Sequence, residues 1–252
     1  MDLSIVIPAY NEGAKIARDV KAAAEFLQDN NLQGEIIVVD DGSTDRTSEI
    51  ARKVNVPASV KRNVIRQEQH RGKGYAVRTG ISQTSGKYVM FADSGLCVPY
   101  SNAQLGLEML KDGSCDIAHG SRKLSESDIL RDQPWRRRVS SKFFKWLTKR
   151  FVQIPAELSD TQCGFKLYKG DVARKLYSQC ISDGFMFDVE IILRAQKENY
   201  RIKEFPIEWT CDLDSRLSLT RVPWPVFWEL LILKRQIRHG LTLINTAKKL
   251  EL

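Results

Sequence analysis

Two adjacent carboxylates, Asp40 and Asp41, follow the apolar run Ile36-Ile37-Val38-Val39 and precede Gly42-Ser43-Thr44. Carboxylates at the end of a buried strand can accept hydrogen bonds from a nucleobase N–H or from ribose hydroxyls. The same residue types also build ordinary turns and helix caps, and the pair alone does not choose. A third carboxylate, Asp93, closes the run Tyr88-Val89-Met90-Phe91-Ala92. A lone Asp there can bind a divalent cation, which in turn neutralises a diphosphate. Taken in isolation, a turn residue is the simpler reading. The histidines His70, His119 and His239 are scattered, show no metal-ligand spacing, and read as structural or surface residues.

These carboxylates need elements to hold them. Leu3 to Ile7, Glu35 to Val39, Val64 to Ile65, Lys87 to Ala92 and Asp116 to His119 read as short strands. Gly13 to Asn30 places Ile16, Val20, Ala23, Ala24 and Leu27 at helical spacing. Further helices are expected over Asp45 to Val54, Gly74 to Gln83 and Asn102 to Lys111. Strands alternating with helices predict an α/β fold, a mainly parallel Rossmann-like sheet with helices on both faces. Ligands of such sheets sit beyond the carboxyl ends of the strands. The segments to examine are therefore Tyr10-Asn11-Glu12, Asp40-Asp41-Gly42, Asp93-Ser94-Gly95 and Gly120-Ser121-Arg122. After Arg122 the pattern weakens: residues 123–133 read as a polar loop, Leu167 to Tyr168 and Ile202 to Phe205 as strands, and Gly170 to Tyr177 and Asp188 to Lys197 as helices.

Taken together, the segments narrow the reading. Leu3-Ser4-Ile5-Val6-Ile7-Pro8-Ala9-Tyr10-Asn11-Glu12, then Ile37-Val38-Val39-Asp40-Asp41-Gly42-Ser43-Thr44-Asp45, resembles the opening of glycosyltransferase family 2. Gly72-Lys73-Gly74-Tyr75-Ala76 and the strand into Asp93 keep the family's order. Gly120-Ser121-Arg122, Asp160-Thr161-Gln162-Cys163-Gly164-Phe165-Lys166 and Phe187-Asp188-Val189-Glu190 look like its polyprenyl-phosphate branch, the dolichyl-phosphate glucosyl- and mannosyltransferases. The resemblance implies a GT-A type fold and an inverting transferase that moves a hexose from a nucleoside diphosphate sugar to a polyprenyl phosphate. It implies that Pro8, Tyr10, Glu12, Val39, Asp41 and Ser94 hold the nucleotide, and that Asp93 holds a Mg²⁺ or Mn²⁺ ion and the diphosphate. Arg122 and Arg216 would place phosphates, for which the guanidinium fork is suited. Asp160 would be an acid on the acceptor side, a role that competes evenly with a capping or loop role. The sequence departs from the family where a second Asp and then a Gln are usual: Gly95 and Cys97 stand there, so two oxygen ligands are missing.

From Trp135 to Phe151 there is no acidic residue. Arg138, Lys142, Lys145 and Lys149 fall on one helical face, with Val139, Phe143, Trp146 and Leu147 on the adjacent one. A basic amphipathic segment with aromatics suits the interface of an anionic membrane, although a solvated cationic face over a core stripe has the same pattern. The helix expected from Pro225 toward Gly240 is a second interfacial segment or a homo-oligomer contact. The domain reading is a GT-A domain over 1–221 and a C-terminal helical segment over 222–252.

Whole-chain properties fit this. The chain of 252 residues, 42% hydrophobic, suits one well-cored domain with at most a small appendage. Its 39 basic residues against 31 acidic ones give a net charge of +8, which favours an anionic partner without choosing one. No motif supports nucleic acid. Five cysteines without a CxxC spacing suit a reducing compartment. With neither a signal peptide nor a spanning run expected, the reading is a cytoplasmic protein, peripheral on the cytoplasmic face of a membrane. Two competitors remain. One is a family 2 transferase with a saccharide or other acceptor; the other is a non-catalytic scaffold with a degenerate donor site, suggested by Gly95.

Overall fold

Residue alternation decides how the apolar runs fold. In β1 (Leu3–Ala9), Ile5 and Ile7 join the core on one face of a sheet and Val6 the core on the other. In β2 (Gly34–Asp40), Ile36 and Val38 take the first face, Ile37 and Val39 the second. A strand buried on both faces is apolar at successive positions, as strands of a parallel sheet are. The computed structural model describes residues 1–131, 155 and 157–211. Arg216, the segment Trp135 to Phe151 and the helix expected after Pro225 lie outside the described residues.

The remaining strands are β3 (Val60–Arg66), β4 (Tyr88–Ala92), β5 (Ile117–Ser121), β6 (Asp128–Arg131), β7 (Phe165–Lys169), β8 (Ile202–Pro206) and β9 (Glu208–Thr210). Seven of the nine described strands form one sheet in the order β3-β2-β1-β4-β7-β5-β8. All neighbours run parallel except β7, which lies antiparallel between β4 and β5. Helices α1 (Ile16–Asp29), α2 (Thr47–Lys53) and α4 (Ala103–Lys111) cover one face. Helices α3 (Lys73–Ser82), α5 (Gly170–Ser178) and α6 (Phe187–Lys197) cover the other. This is the mainly parallel sheet with helices on both faces that the sequence predicts. The five apolar positions picked out in α1 are all buried.

Two elements differ from expectation. Strand β3 runs seven residues instead of two, because Lys61, Arg62 and Asn63 belong to a strand that, among the described residues, pairs with β2 alone at the sheet edge. Polar residues suit a sheet edge. The polar stretch 123–133 contains β6, which pairs in parallel with β9 as a separate ribbon. No helix among the described residues is long and apolar enough to cross a membrane.

The topology aligns the site. Since β1, β2 and β4 are parallel, Tyr10, Asp41 and Asp93 emerge on the same edge of the sheet. Both β4 and β5 run antiparallel to β7, so β5 delivers Arg122 to that edge too, while β7 brings Gly164 there at its start.

Candidate active site

The opening motifs stitch two loops together. The amide of Asn11 donates to Ser43 Oγ at 2.7 Å, and Asn11 Oδ1 accepts the amide of Thr44 at 2.7 Å. Glu12 N–H donates to Thr47 Oγ1 at 2.8 Å, and Gly13 N–H to Asp45 Oδ2 at 3.0 Å. The adjacent carboxylates divide their work. Asp40 turns inward, accepting from the Ser43 amide at 2.8 Å and from the Ser48 hydroxyl. Asp41 turns toward the loop before α3. It accepts the amides of Arg71 at 2.9 Å and Gly72 at 2.8 Å, and His70 Nδ1 lies 2.7 Å from its Oδ2. Asp41 is buried, so these donors satisfy a carboxylate that would otherwise be costly to bury.

These loops enclose a cavity of about 490 Å³ at the carboxyl edge of the sheet. Pro8, Tyr10, Glu12, Asp41, Asp93 and Ser94 all line it. Val39 does not: its side chain is fully buried in the core on the α3 face. His70, read from the sequence as structural or surface, lines the cavity and stacks on Tyr10 with ring centroids 4.0 Å apart. A flat aromatic pair beside a hydrogen-bonding carboxylate suits a planar heterocycle.

Lys73 lies deeper. Its Nζ is 2.7 Å from Asp93 Oδ1 and 2.9 Å from Oδ2. Burial alone lowers the pKa of this ammonium, but the charges of Asp93 and Asp188 outweigh it, and the net shift is upward. Lys73 therefore stays protonated. The flanking glycines aim it. Gly72 has φ +118°, which suits glycine, and a Cβ on it would lie 2.5 Å from the carbonyl oxygen of Asp183. A Cβ on Gly74 would lie 2.4 Å from the carbonyl oxygen of Ser182. The spacing Gly-Lys-Gly was the legible signal for Lys73. Nothing local marked His70, whose partners Tyr10 and Asp41 come from two other loops.

Arg122 and Asp160 meet each other. Arg122 Nε donates to Asp160 Oδ2 at 2.6 Å, Nη2 to Oδ1 at 2.7 Å, and the Arg122 amide to Oδ2 at 3.1 Å. Burial alone would raise the Asp160 pKa, but the hydrogen bonds and charge of Arg122 win and hold it at about 2. The same partner raises the guanidinium pKa against the opposing effect of burial. Neither residue lines the cavity. Behind Asp93 a second buried pair, Lys166 with Asp188, extends the ionic network. His119 is fully buried beside it; burial first, and then the Lys166 charge, push its pKa well below the ordinary value, so it is neutral.

The described residues do not make a divalent cation site on their own. Among the described residues no group of three or more His, Cys, Asp or Glu side chains converges as metal ligands. Asp93 faces an ammonium across both its oxygens, and Gly95 offers no side chain. Gly95 also has φ +101°, so a carboxylate there would have to sit on a strained backbone. The amide of Gly95 donates to Asp19 Oδ2 at 2.9 Å and its carbonyl accepts from Arg18 Nη2 at 3.0 Å, which fixes the turn from α1.

A profile described as Glycosyl transferase family 2 matches residues 4–177. The chain is 32% identical over 225 residues to the dolichyl-phosphate beta-glucosyltransferase of Saccharomyces cerevisiae, covering 82% of this chain and 66% of that protein. It is 30% identical over 251 residues to the Drosophila melanogaster enzyme of the same name, covering 94% and 73%. Against glycosyltransferase AglD of Haloferax volcanii it is 29% identical over 223 residues, covering 88% of this chain but only 35% of that protein. Mannosyl-3-phosphoglycerate synthase from Rubrobacter xylanophilus shares the fold at a TM-score of 0.68 and 17% identity, over 98% of this chain and 77% of that one. Glucosyl-3-phosphoglycerate synthase from Mycobacterium tuberculosis, solved with Mn²⁺, UDP-glucose and phosphoglyceric acid, shares it at a TM-score of 0.66 and 17% identity, over 95% and 80%. The fold is that of the GT-A glycosyltransferases, and the chain belongs to glycosyltransferase family 2.

Proposed function

We propose that this protein moves a hexose from a nucleoside diphosphate sugar to a polyprenyl phosphate, inverting the sugar at C1. The observation that carries this reading is the convergence of Tyr10, His70, Asp41, Lys73 and Asp93 on one cavity at the carboxyl edge of the sheet. The named relatives, dolichyl-phosphate beta-glucosyltransferases, support the acceptor class. A lipid phosphate is already an anion at neutral pH, so its attack needs no base. A bond forms from an acceptor phosphate oxygen to C1. The bond from C1 to the donor's β-phosphate oxygen breaks, and its electron pair leaves on the nucleoside diphosphate. The protein's part is to position both phosphates and to stabilise the leaving charge. Asp41 organises the nucleotide end by holding the loop that carries His70 and Lys73. Acceptor-dependent release of nucleoside diphosphate tests the reading, with soluble saccharides in place of polyprenyl phosphate as the comparison. Asp93 masked by Lys73 also favours a second reading, a nucleotide-binding scaffold. That reading requires nucleotide binding with no release under either acceptor.

Asp41→Asn is expected to weaken nucleoside diphosphate binding by about tenfold or more, because an amide nitrogen would face one of the two loop amides that Asp41 now accepts. Circular dichroism should report an unchanged fold. Equal affinities in calorimetry would remove Asp41 from the site.

The polyprenyl-phosphate reading places the protein at a membrane. We propose that the acid-free sequence from Trp135 to Phe151 supplies the attachment to an anionic surface, on the cytoplasmic face. Reversing charge at Arg138, Lys142 and Lys145 should cut liposome binding sharply, at about 1 kcal/mol per basic residue lost. Salt should weaken the wild-type protein in the same sense. A wild-type protein that fails to sediment with anionic liposomes at low salt would end this proposal.

A further inference from the structure

We propose that Lys73 and the N-terminus of α3 take the part of a divalent cation toward the donor diphosphate, so that donor binding is metal-independent. The inference rests on the nucleoside diphosphate sugar reading above. A diphosphate entering the cavity needs positive charge, and a carboxylate cannot supply it. Asp93 serves a cation site only if a metal sits on it. In this structure its counter-ion is already present: the Lys73 ammonium spans both carboxylate oxygens at 2.7 and 2.9 Å. Displacing that ammonium for a metal would leave a lysine that is 18% exposed beside Phe91 and Phe187, near an Asp188 that already pairs with Lys166. A metal would also find no carboxylate at Gly95.

A second observation points the same way. Lys73 is the first residue of α3, and Gly72, Lys73 and Ala76 all line the cavity. At that end the Gly72 amide donates to Asp41 Oδ2 and the Tyr75 amide to the Asp183 carbonyl oxygen, and the helix dipole adds positive potential there. Gly72 and Gly74 leave room there for the backbone of residues 182–184, which packs against that end and holds it in place. The ammonium has three protons and donates one hydrogen bond to Asp93, at Oδ2, while Oδ1 lies 2.7 Å away without a hydrogen bond, which leaves Lys73 capacity for a phosphate oxygen. Asp93 then acts as a positioning residue that holds the lysine head in place, and Asp41 fixes the loop immediately before it through the Arg71 and Gly72 amides.

The experiment is calorimetric titration of the full chain with UDP and with GDP, in EDTA and again in Mn²⁺. At least one nucleotide is expected to bind in EDTA within about threefold of its affinity in Mn²⁺. Mn²⁺ alone should leave the paramagnetic resonance signal of the free ion undiminished. Lys73→Gln should lower the affinity in EDTA by about tenfold or more. The double variant Lys73→Gln/Asp93→Asn, which removes both charges together, should lose as much; it covers the case in which the single variant does not fold. Binding that appears only with Mn²⁺ overturns the inference, and so does unchanged affinity in both variants. Binding of neither nucleotide under any condition overturns the donor reading itself, and the inference with it.

Discussion

Asp160→Ala is expected to destabilise the protein by about 3–5 kcal/mol, the usual result of removing one partner from a buried ion pair. Asp160 is 1% exposed and receives three hydrogen bonds from Arg122, two from the guanidinium and one from the backbone. Without it, a guanidinium that is 20% exposed and lies over the Trp209 ring keeps its charge and loses its acceptor. The double variant Arg122→Met/Asp160→Leu should recover part of the loss, because two apolar groups leave no charge stranded. Urea denaturation measures both, and a loss below about 1 kcal/mol for Asp160→Ala would mean that Arg122 finds another partner. The pH dependence has a fixed sign. The folded-state pKa is depressed to about 2 from an ordinary 3.8. The stabilisation is therefore complete above pH 4 and is lost as pH falls toward 2, a drop of roughly 2 kcal/mol.

Asp19 has the opposite sign. Burial raises its pKa from 3.8 to about 6, against the counter-effect of the Gly95 amide. Its Oδ1 has no partner among the described residues. The folded state holds this proton more tightly than the unfolded chain does. Stability is highest below pH 4, falls as pH rises toward 6, and is flat above that, with a total change of roughly 3 kcal/mol. Asp19→Asn keeps an oxygen for the Gly95 amide and removes the buried charge. It should therefore stabilise the protein by roughly 3 kcal/mol at pH 8 and by little at pH 4. Equal thermal shifts at the two pH values would show that Asp19 carries no buried charge. A carboxylate retained at such a cost fits its task, which is to hold the Gly95 turn at the rim of the cavity.

How much of this was legible depends on whether the partner lies nearby in sequence. Leu3 to Ile7 and Ile36 to Val39 declare themselves because both faces of the strand are covered. Ile16, Val20, Ala23, Ala24 and Leu27 declare α1 because one face of a helix is buried. Strand β3 hid most of its length because an edge strand tolerates Lys61 and Arg62, and β6 hid because its partner among the described residues, β9, arrives much later in the chain. The site divides in the same way. Tyr10, Asp41, Asp93 and Ser94 follow apolar strands and line the cavity, as the rule for parallel sheets directs. His70 follows no such run and reaches the cavity only because Asp41 draws its loop in. Val39 shares a motif with Asp41, yet its side chain stays in the core, because Val39 lies within β2 whereas Asp41 lies just beyond its end. The Arg122–Asp160 pair joins segments that no local pattern relates.

The antiparallel strand between β4 and β5 sets the order of assembly. On a growing chain, residues 88–92 and 117–121 are made well before residues 165–169, yet they meet only through them. Until β7 arrives, the sheet exists as the contiguous piece β3-β2-β1-β4 with an open flank. Closing that gap requires a long loop, and contacts between distant segments form slowly. The hydrogen bond from the Asp93 amide to the Gly164 carbonyl oxygen forms in the same event. The strands that carry Tyr10, Asp41 and Asp93 are thus made before β7, whereas the segment bearing Asp160 completes its contacts only once β8 supplies Glu204. An arrested or truncated chain would present an unpaired β4 edge, a template for aggregation.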